Sequence, residues 1–207
     1  LTAGYSERIP RAASFQYLMD FDAGRAYWMI EAGRPADPWT EGIAGQGSVV
    51  EDPQPDYFRG RYAFRAAPTA TEPPPEVNVL EDRVSGSSRF IKLRVVSPRG
   101  GRRISVGCET EGLRAATLEG RPLVLIPQNV KGVAAAVLNP GPAGFAFDLE
   151  TAAAAAVKVT VREYNPGFPD IPGFAPPAPP PGLRAHRIGV HLTTSVVLPP
   201  PGLPGGY

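Results

Sequence analysis

Proline and glycine interrupt this chain so often that they argue against an all-helical fold. The 207 residues include 26 prolines and 23 glycines, nearly a quarter of the chain and roughly double the usual share. Both residue types break helix interiors, whereas both are common in the turns that join short strands. The chain is therefore expected to fold as many short strands linked by tight turns.

From residue 77 onwards, apolar and polar residues alternate with the period of a half-buried strand. Ile91, Leu93 and Val95 alternate with basic residues, and the SGSS turn at 85–88 makes 77–84 and 89–96 a predicted hairpin. Further strands are predicted at 104–108, 113–118, 122–126, 133–138, 145–149, 152–164 and 186–198. Five alanines at 152–156 favour a helix, but the alternating valines that follow favour the strand. We predict an all-β fold, an antiparallel β-sandwich with Pro-rich extended arms.

The first part of the chain carries weaker signals. Residues 14–30 read as an aromatic hairpin with turn residues at Asp22–Gly24. Asp37 is placed to cap a short helical turn that has Pro38 at its first position. Residues 44–56 are predicted to form an acidic surface loop, and 57–65 a strand.

We expect a single β-rich domain over residues 1–207. Its predicted segments are an N-terminal hairpin with loops (1–76), a β-sandwich core (77–164), a Pro-rich arm (165–182), a closing strand (183–198) and a tail (199–207). The arm is expected to be ordered only where it lies on the body of the domain.

No assembled catalytic constellation is recognisable in the sequence. His186 and His191 are five residues apart on a predicted strand, so they face opposite sides and do not share a metal. Cys108 falls on the predicted core face, which disfavours a thiolate nucleophile. Asp20 and Asp22 allow a hydrolase with paired carboxylates, although turn acids ahead of a glycine are the simpler interpretation. We therefore predict neither catalytic nor metal-binding residues.

Two sets of residues form a candidate binding surface. Seven cations and no acid lie from Arg83 to Arg103, and an aromatic hairpin precedes them. The surface would comprise Tyr17, Tyr27, Trp28, Arg94, Arg99, Arg102 and Arg103. The alternatives are cross-strand or core pairs for the rings and a solvated sheet face for the arginines. The net charge of only +1 argues against nucleic acid as a partner.

The chain also lacks features that would fix its compartment. The single cysteine, Cys108, excludes an intrachain disulfide. No apolar run reaches the roughly 18 residues that a spanning helix needs. The sequence begins with Leu1, and we expect it to be part of a longer protein.

Three stretches, taken in order, resemble a known group of proteins. The first is Ser14–Ile43, with FQYLMDFDAGRA at 15–26 and DPWT at 37–40. The second is Ile91–Gly100, IKLRVVSPRG, with the strands that follow it. The third is Tyr164–Gly173, YNPGFPDIPG, followed by LTTSVV at 192–197. Together they resemble the C-terminal region of bacterial membrane-anchored di-zinc exopeptidases, in the aminopeptidase group that includes the endoplasmic-reticulum metallopeptidases.

The resemblance implies that this chain is the non-catalytic β-rich end of such a peptidase. The zinc ligands and the general-base glutamate of that group lie in a separate peptidase domain, and no stretch here matches their motifs. The resemblance thus implies zinc only for that domain, with no cofactor in this chain. It also implies that the peptidase domain is the partner, that the chain is extracytoplasmic, and that the parent protein tethers it near a membrane. The alternative function is an autonomous extracytoplasmic module that binds a peptide, a glycan or the cell envelope.

Overall fold

A computed structural model describes residues 11–33, 36–45, 47–58, 60–125 and 132–202. Contacts between residues divide the chain into two compact units. The aromatic unit, as we name it, comprises Leu1–Glu72 and Asn165–His191, and the sandwich unit comprises Pro73–Tyr164 and Leu192–Tyr207. The division falls at the predicted start of the Pro-rich arm and four residues before the predicted start of the sandwich core. The single-domain assignment itself stays a prediction.

Strands account for most of the described elements. In chain order these are β1 (Arg11–Asp20), β2 (Arg25–Glu31), α1 (Pro38–Ala44), β3 (Val49–Val50), α2 (Pro55–Phe58), β4 (Tyr62–Ala67), β5 (Glu76–Ser85), β6 (Ser88–Val96), β7 (Arg103–Thr110), β8 (Ala115–Leu118), β9 (Arg121–Pro122), β10 (Gly132–Leu138), β11 (Phe145–Ala152), β12 (Val157–Pro166) and β13 (Leu183–Leu198). Residues 183–191 of β13 belong to the aromatic unit and 192–198 to the sandwich unit.

The sandwich unit buries aliphatic side chains between two sheets. One sheet has the order β5-β6-β11-β8-β9, and the other has β10-β7-β12 followed by the second half of β13. The alternation predicted for β6 and β12 holds, because Leu93 and Val159 are both fully buried. Residues from both sheets, such as Phe147 and Val106, join one hydrophobic cluster. The all-β, sandwich-like fold class predicted from the sequence is confirmed.

Charged side chains lie on the core face near the ends of two of these strands. Arg89 is 2% exposed, and its Nε and Nη2 donate to the carboxylate of Asp82 at 2.8 and 2.7 Å. Its Nη1 donates to the carbonyl of Ala155 at 2.8 Å. Glu163 is 1% exposed and packs so closely on Gly101 that a Cβ at this glycine would lie 2.6 Å from Glu163 Cγ. Only glycine therefore fits at position 101 with Glu163 in its present place.

The aromatic unit is built on the first half of β13, β1, β2, β4 and β3, in that order. Antiparallel register places Tyr17 beside Trp28 on one face and Leu18 beside Tyr27 on the other. The first face carries the rings of Phe15, Tyr17 and Trp28, and Trp39 of α1 meets Phe15 edge to face at 5.6 Å between ring centroids. The second face packs Leu18, Tyr27, Met29 and Phe64 against Phe58 of α2. Both faces of this sheet are therefore covered.

The Pro-rich arm closes the first of these faces. Its Phe168 lies 5.9 Å from Phe15, and its Phe174 lies 5.5 Å from Trp28, between ring centroids. The indole nitrogen of Trp39 donates to the carbonyl of Pro177 at 2.9 Å. These contacts make the described arm a structural part of the aromatic unit.

Local predictions in the first part of the chain succeed where a cap or hairpin signal is strong. α1 begins at Pro38, and the carboxylate of Asp37 accepts hydrogen bonds from the backbone of Trp39 and Thr40, as predicted. The strand predicted at 57–65 is wrong in its first half, where α2 ends at Phe58 and β4 starts only at Tyr62. The carbonyl of Gln54 accepts from the amide of Phe58 at 3.0 Å and sets up this helical turn, with a proline in its first position.

Two strand boundaries in the sandwich unit also differ from prediction. The alanines at 152–156 end β11 and then form a turn, so β12 begins only at Val157. The strand predicted at 122–126 is limited to Arg121–Pro122 in its described part. The amide of Leu123 still donates to the carbonyl of Ala116 at 2.9 Å, so backbone pairing with β8 reaches one residue past β9. The last residue of that predicted strand lies outside the described residues.

Candidate functional site

The aromatic residues of the predicted binding surface do not form an exposed platform. Tyr17, Tyr27 and Trp28 are 1%, 7% and 4% exposed. Tyr17 and Trp28 meet edge to face at 5.2 Å between ring centroids, while Tyr27 lies on the opposite face of the sheet. The hydroxyl of Tyr17 donates to the carbonyl of Pro68 at 2.9 Å, and burial raises the pKa of this hydroxyl. These rings serve the core, so the main support for an aromatic stacking site is removed.

The arginines of the predicted surface are distributed over different parts of the sandwich unit. Arg94 points to the outer face of β6 and donates to the carbonyl of Ala143 at 3.4 Å. Arg103 points to the outer face of β7, in the other sheet, and the neighbouring Arg102 is also exposed. Arg99 lies half-buried in the turn that connects these strands. Because the outer faces of two packed sheets point in opposite directions, Arg94 and Arg103 do not share one binding surface.

Other cations of the Arg83–Arg103 strip are paired with acids. Arg89 is bound to Asp82, as described above. Glu81 accepts from Lys92 at 2.7 Å and from Arg83 at 2.6 Å. The hydrogen bonds from Lys92 and Arg83 lower the pKa of Glu81, and the hydrogen bond to Glu81 raises the pKa of Lys92. Pairing of this kind weakens the strip as a site for polyanions.

The candidate catalytic acids and histidines have structural contacts instead. One carboxylate oxygen of Asp20 accepts from the amides of Asp22 and Ala23 at 3.0 and 3.1 Å, which fixes the β1–β2 turn. His191 Nε2 is hydrogen-bonded to Gln16 Oε1 at 2.5 Å and its ring packs on Phe58. The side chain of His186 lies outside the described residues. These contacts fit the turn role that the sequence favoured for Asp20 and Asp22.

Cys108 is buried in the sandwich core, as its position in β7 predicted. The residue is 2% exposed, and burial raises the pKa of its thiol to about 11. At neutral pH the thiol is therefore protonated, and a protonated thiol is a poor nucleophile and a poor metal ligand.

The aromatic unit contains a cleft of about 560 Å³ that the sequence did not reveal. The β1–β2 turn, β2, β4 and the segment after β3 contribute to it. Its polar wall includes Arg25, Tyr27, Glu51, Asp52 and Thr69. The cleft thus presents both signs of charge, together with the ring of a tyrosine.

A glycine lets the segment around β3 lie against β4 at this cleft. A Cβ at Gly47 would lie 2.1 Å from the carbonyl oxygen of Ala66, so a side chain there would collide with the backbone. The carbonyl of Ser48 accepts from the amide of Ala66 at 2.9 Å, which fixes the approach. The acidic loop at 44–56 was visible in the sequence, but this long-range pairing was not.

Asp52 has an unused hydrogen-bonding atom in the wall of this cleft. Its Oδ1 accepts from the amide of Gln54 at 2.8 Å, at the start of α2. Its Oδ2 is buried and has no hydrogen-bond partner among the described residues. A buried carboxylate oxygen without a donor is unfavourable, and a ligand with an N–H or O–H group would relieve that cost.

Two further kinds of feature are absent from the described residues. No group of three or more His, Cys, Asp or Glu side chains is arranged there to hold a metal ion. No helix among the same residues is both long and apolar enough to cross a membrane.

Comparison with known proteins adds no assignment. No family model, curated protein or solved structure matches this chain.

Proposed function

We propose that this chain acts by binding rather than by catalysis, as a non-catalytic C-terminal domain of a larger zinc-dependent exopeptidase. The observation that supports this role is that potentially reactive side chains among the described residues make structural contacts. Asp20 fixes a turn, Asp37 caps a helix, Cys108 is buried as a neutral thiol and His191 is bound to Gln16. In this proposal the chain shields or positions the peptidase domain, or docks a partner for it.

Packing among the stretches that resemble the exopeptidase group also supports the proposal. The first stretch supplies Phe15 and Trp39, and the third supplies Phe168, whose ring lies 5.9 and 6.3 Å from theirs. Residues that carry the resemblance therefore contribute to one aromatic core. In this proposal zinc belongs to the peptidase domain, and the present chain is extracytoplasmic and tethered to the membrane through the parent protein.

An activity assay tests the non-catalytic part of this proposal. The purified 207-residue chain is incubated with aminoacyl anilides at increasing zinc concentrations, with a known zinc aminopeptidase as the positive control. We expect no cleavage above the rate of a zinc-containing buffer. Cleavage that rises in proportion to zinc bound by the chain would contradict the proposal.

The cleft of the aromatic unit favours a second candidate function, the binding of a peptide amino terminus. A protonated amine would supply the donor that Oδ2 of Asp52 lacks, and Glu51 adds a second negative charge. Arg25 stands in the same wall, where it suits the carboxylate of a short peptide. Because Oδ2 is covered by protein atoms, binding at this oxygen requires a small movement of the segment 51–53.

Calorimetric titration with trialanine and with N-acetyl-trialanine tests this second function. The free peptide should bind at least about tenfold more tightly, since a hydrogen bond to a charged group contributes roughly 1.5–3 kcal/mol. Asp52→Asn keeps an oxygen for the amide of Gln54 but removes the charge, so it should abolish the preference. Asp148→Asn, at a half-buried aspartate of the sandwich unit, is the matched control. Equal affinity for the two peptides, or no binding, would contradict a site for an amino terminus.

A further inference from the structure

The two long edge strands of the sandwich unit differ in how they are protected. β5 carries an irregularity in its register between Val79 and Glu81. Glu81 also pairs with Arg83 and Lys92 at this edge. Bulges and charges of this kind are common devices that prevent an edge strand from pairing with another chain.

β10 has none of these devices. Its sequence, GVAAAVL over Gly132–Leu138, contains no charge and no proline, and its register with β7 is uninterrupted from Gly132 to Leu138. No described strand pairs with its other side, because β10 is the first strand in its sheet. The strand thus offers a straight, uncharged row of backbone groups to a partner.

The side chains of β10 are also incompletely covered. Val133, Ala135 and Val137 pack against the sandwich core, yet all three are only half-buried. Ala134 and Ala136 are exposed on the outer face. A strand added beside β10 would cover more of the two valines, and burial of apolar surface favours association.

The order of these side chains makes a second copy of the same strand a matched partner. Residues 133–137 read VAAAV, which is the same in both directions. In an antiparallel pair of two copies with the twofold axis at Ala135, Val133 faces Val137 and Ala134 faces Ala136. The pairing keeps each core-side residue opposite another core-side residue, because directly paired residues point to the same face.

Charge does not oppose the same partner. β7 places Glu109 beside Gly132 and Arg103 beside Leu138. In the twofold pair, Gly132 of one copy lies opposite Leu138 of the other. Glu109 of one copy and Arg103 of the other then share a row, separated by three strand spacings, or about 14 Å. Both are exposed, and charges separated by more than a Debye length of about 8–10 Å are largely screened, so this row is compatible with the pairing but adds little to its affinity.

We propose that β10 is a self-association edge, through which two copies of this chain form a symmetric dimer with a continuous sheet. Such an isologous contact closes on itself and gives a dimer rather than a fibre. The proposal does not depend on the peptidase assignment or on the cleft.

Sedimentation equilibrium of the full chain, from micromolar to millimolar concentration, tests this proposal. We expect a reversible monomer–dimer equilibrium. The variants Ala134→Lys/Ala136→Lys and Ala134→Glu/Ala136→Glu should each associate at least about tenfold more weakly, because like charges would face each other across the twofold axis. An equimolar mixture of the two variants should recover association, because each lysine would then face a glutamate.

The control Leu80→Lys/Val84→Lys adds the same two positive charges at exposed positions of the edge strand β5 and should leave association unchanged. Circular dichroism and thermal midpoints establish that the variants fold. Sedimentation equilibrium of the unmodified chain tests the proposal even if a variant fails to fold. A chain that is monomeric at all concentrations would overturn it, as would folded like-charged variants that associate normally.

Discussion

The two units bury their cores with different side chains, drawn from different distances along the chain. The sandwich unit packs aliphatic residues and two phenylalanines from strands that mostly follow one another between residues 91 and 161. On one face of its sheet, the aromatic unit packs Phe15, Trp28 and Trp39 against Phe168 and Phe174. The sandwich core pairs strands such as β6 and β11 within one continuous part of the chain, whereas the aromatic core needs an arm more than a hundred residues away.

This difference explains why the arm is fixed by specific polar contacts. Prolines lack an N–H and therefore cannot support a continuous ladder. The arm is held instead at separate points, such as the Trp39 indole on the carbonyl of Pro177 and the amide of Asp170 on the carboxylate of Glu72. The aromatic unit thus depends on a few anchors, while the sandwich unit depends on continuous packing.

The largest effect is expected from a cavity in the sandwich core. Phe147 is fully buried there, so Phe147→Ala should lower the free energy of unfolding by about 3–5 kcal/mol. Urea unfolding followed by circular dichroism measures this change. Phe147→Leu is the control and should cost less than about 1.5 kcal/mol if the core repacks. A loss below about 1 kcal/mol for Phe147→Ala would contradict continuous packing.

As the pH rises, deprotonation of Cys108 in the sandwich core should reduce stability before deprotonation of Tyr17 in the aromatic core does. The folded state binds the proton of Cys108 more tightly than the unfolded state, because burial raises its pKa to about 11. The thiol of Cys108 therefore contributes its full stabilisation below the pKa that it has in the unfolded chain. Between about pH 9 and pH 11 this contribution to the free energy of unfolding falls by about 1.4 kcal/mol per pH unit. Tyr17, in the aromatic core, shifts in the same direction but from a higher starting value.

Unfolding free energies measured from pH 8 to pH 11 test that order. Cys108→Ala should remove the decline in the lower part of this range, whatever its effect on stability at pH 8. A slope that is identical in the variant and the unmodified chain would show that Cys108 is not its source.

The smallest effect is expected at a single anchor of the arm. Trp39→Phe keeps a ring on Phe168 but removes the hydrogen bond to Pro177, so it should cost about 1 kcal/mol. Hydrogen exchange at the non-proline amides of the arm should rise, and Trp39→Ala should raise it further by also removing the ring. Unchanged exchange in both variants would show that this anchor does not hold the arm.

The same contrast determines what the sequence could predict. Strands of the sandwich unit were recognisable because the alternation in Ile91–Val95 and Val157–Val161 is a local signal. The phase of that alternation also places Arg89 and Glu163 on the core face, so both buried charges were within reach of sequence reasoning.

The aromatic unit was less predictable because its contacts are long-range. The burial of Tyr17 and Trp28 depends on the arm, which no local pattern places on β1 and β2. The cleft depends on the pairing of β3 with β4, which brings Asp52 near Arg25. The acids of that loop were visible in the sequence, but their neighbours were not.

Sequencing the source gene upstream of Leu1 tests the central proposal most directly. The proposal predicts a continuous reading frame that encodes a zinc peptidase domain, with spaced His, Asp and Glu ligands and a secretion signal or membrane helices. A frame that opens just before Leu1, with no such domain ahead of it, would contradict the accessory role. Peptide binding at the cleft would then become the leading function.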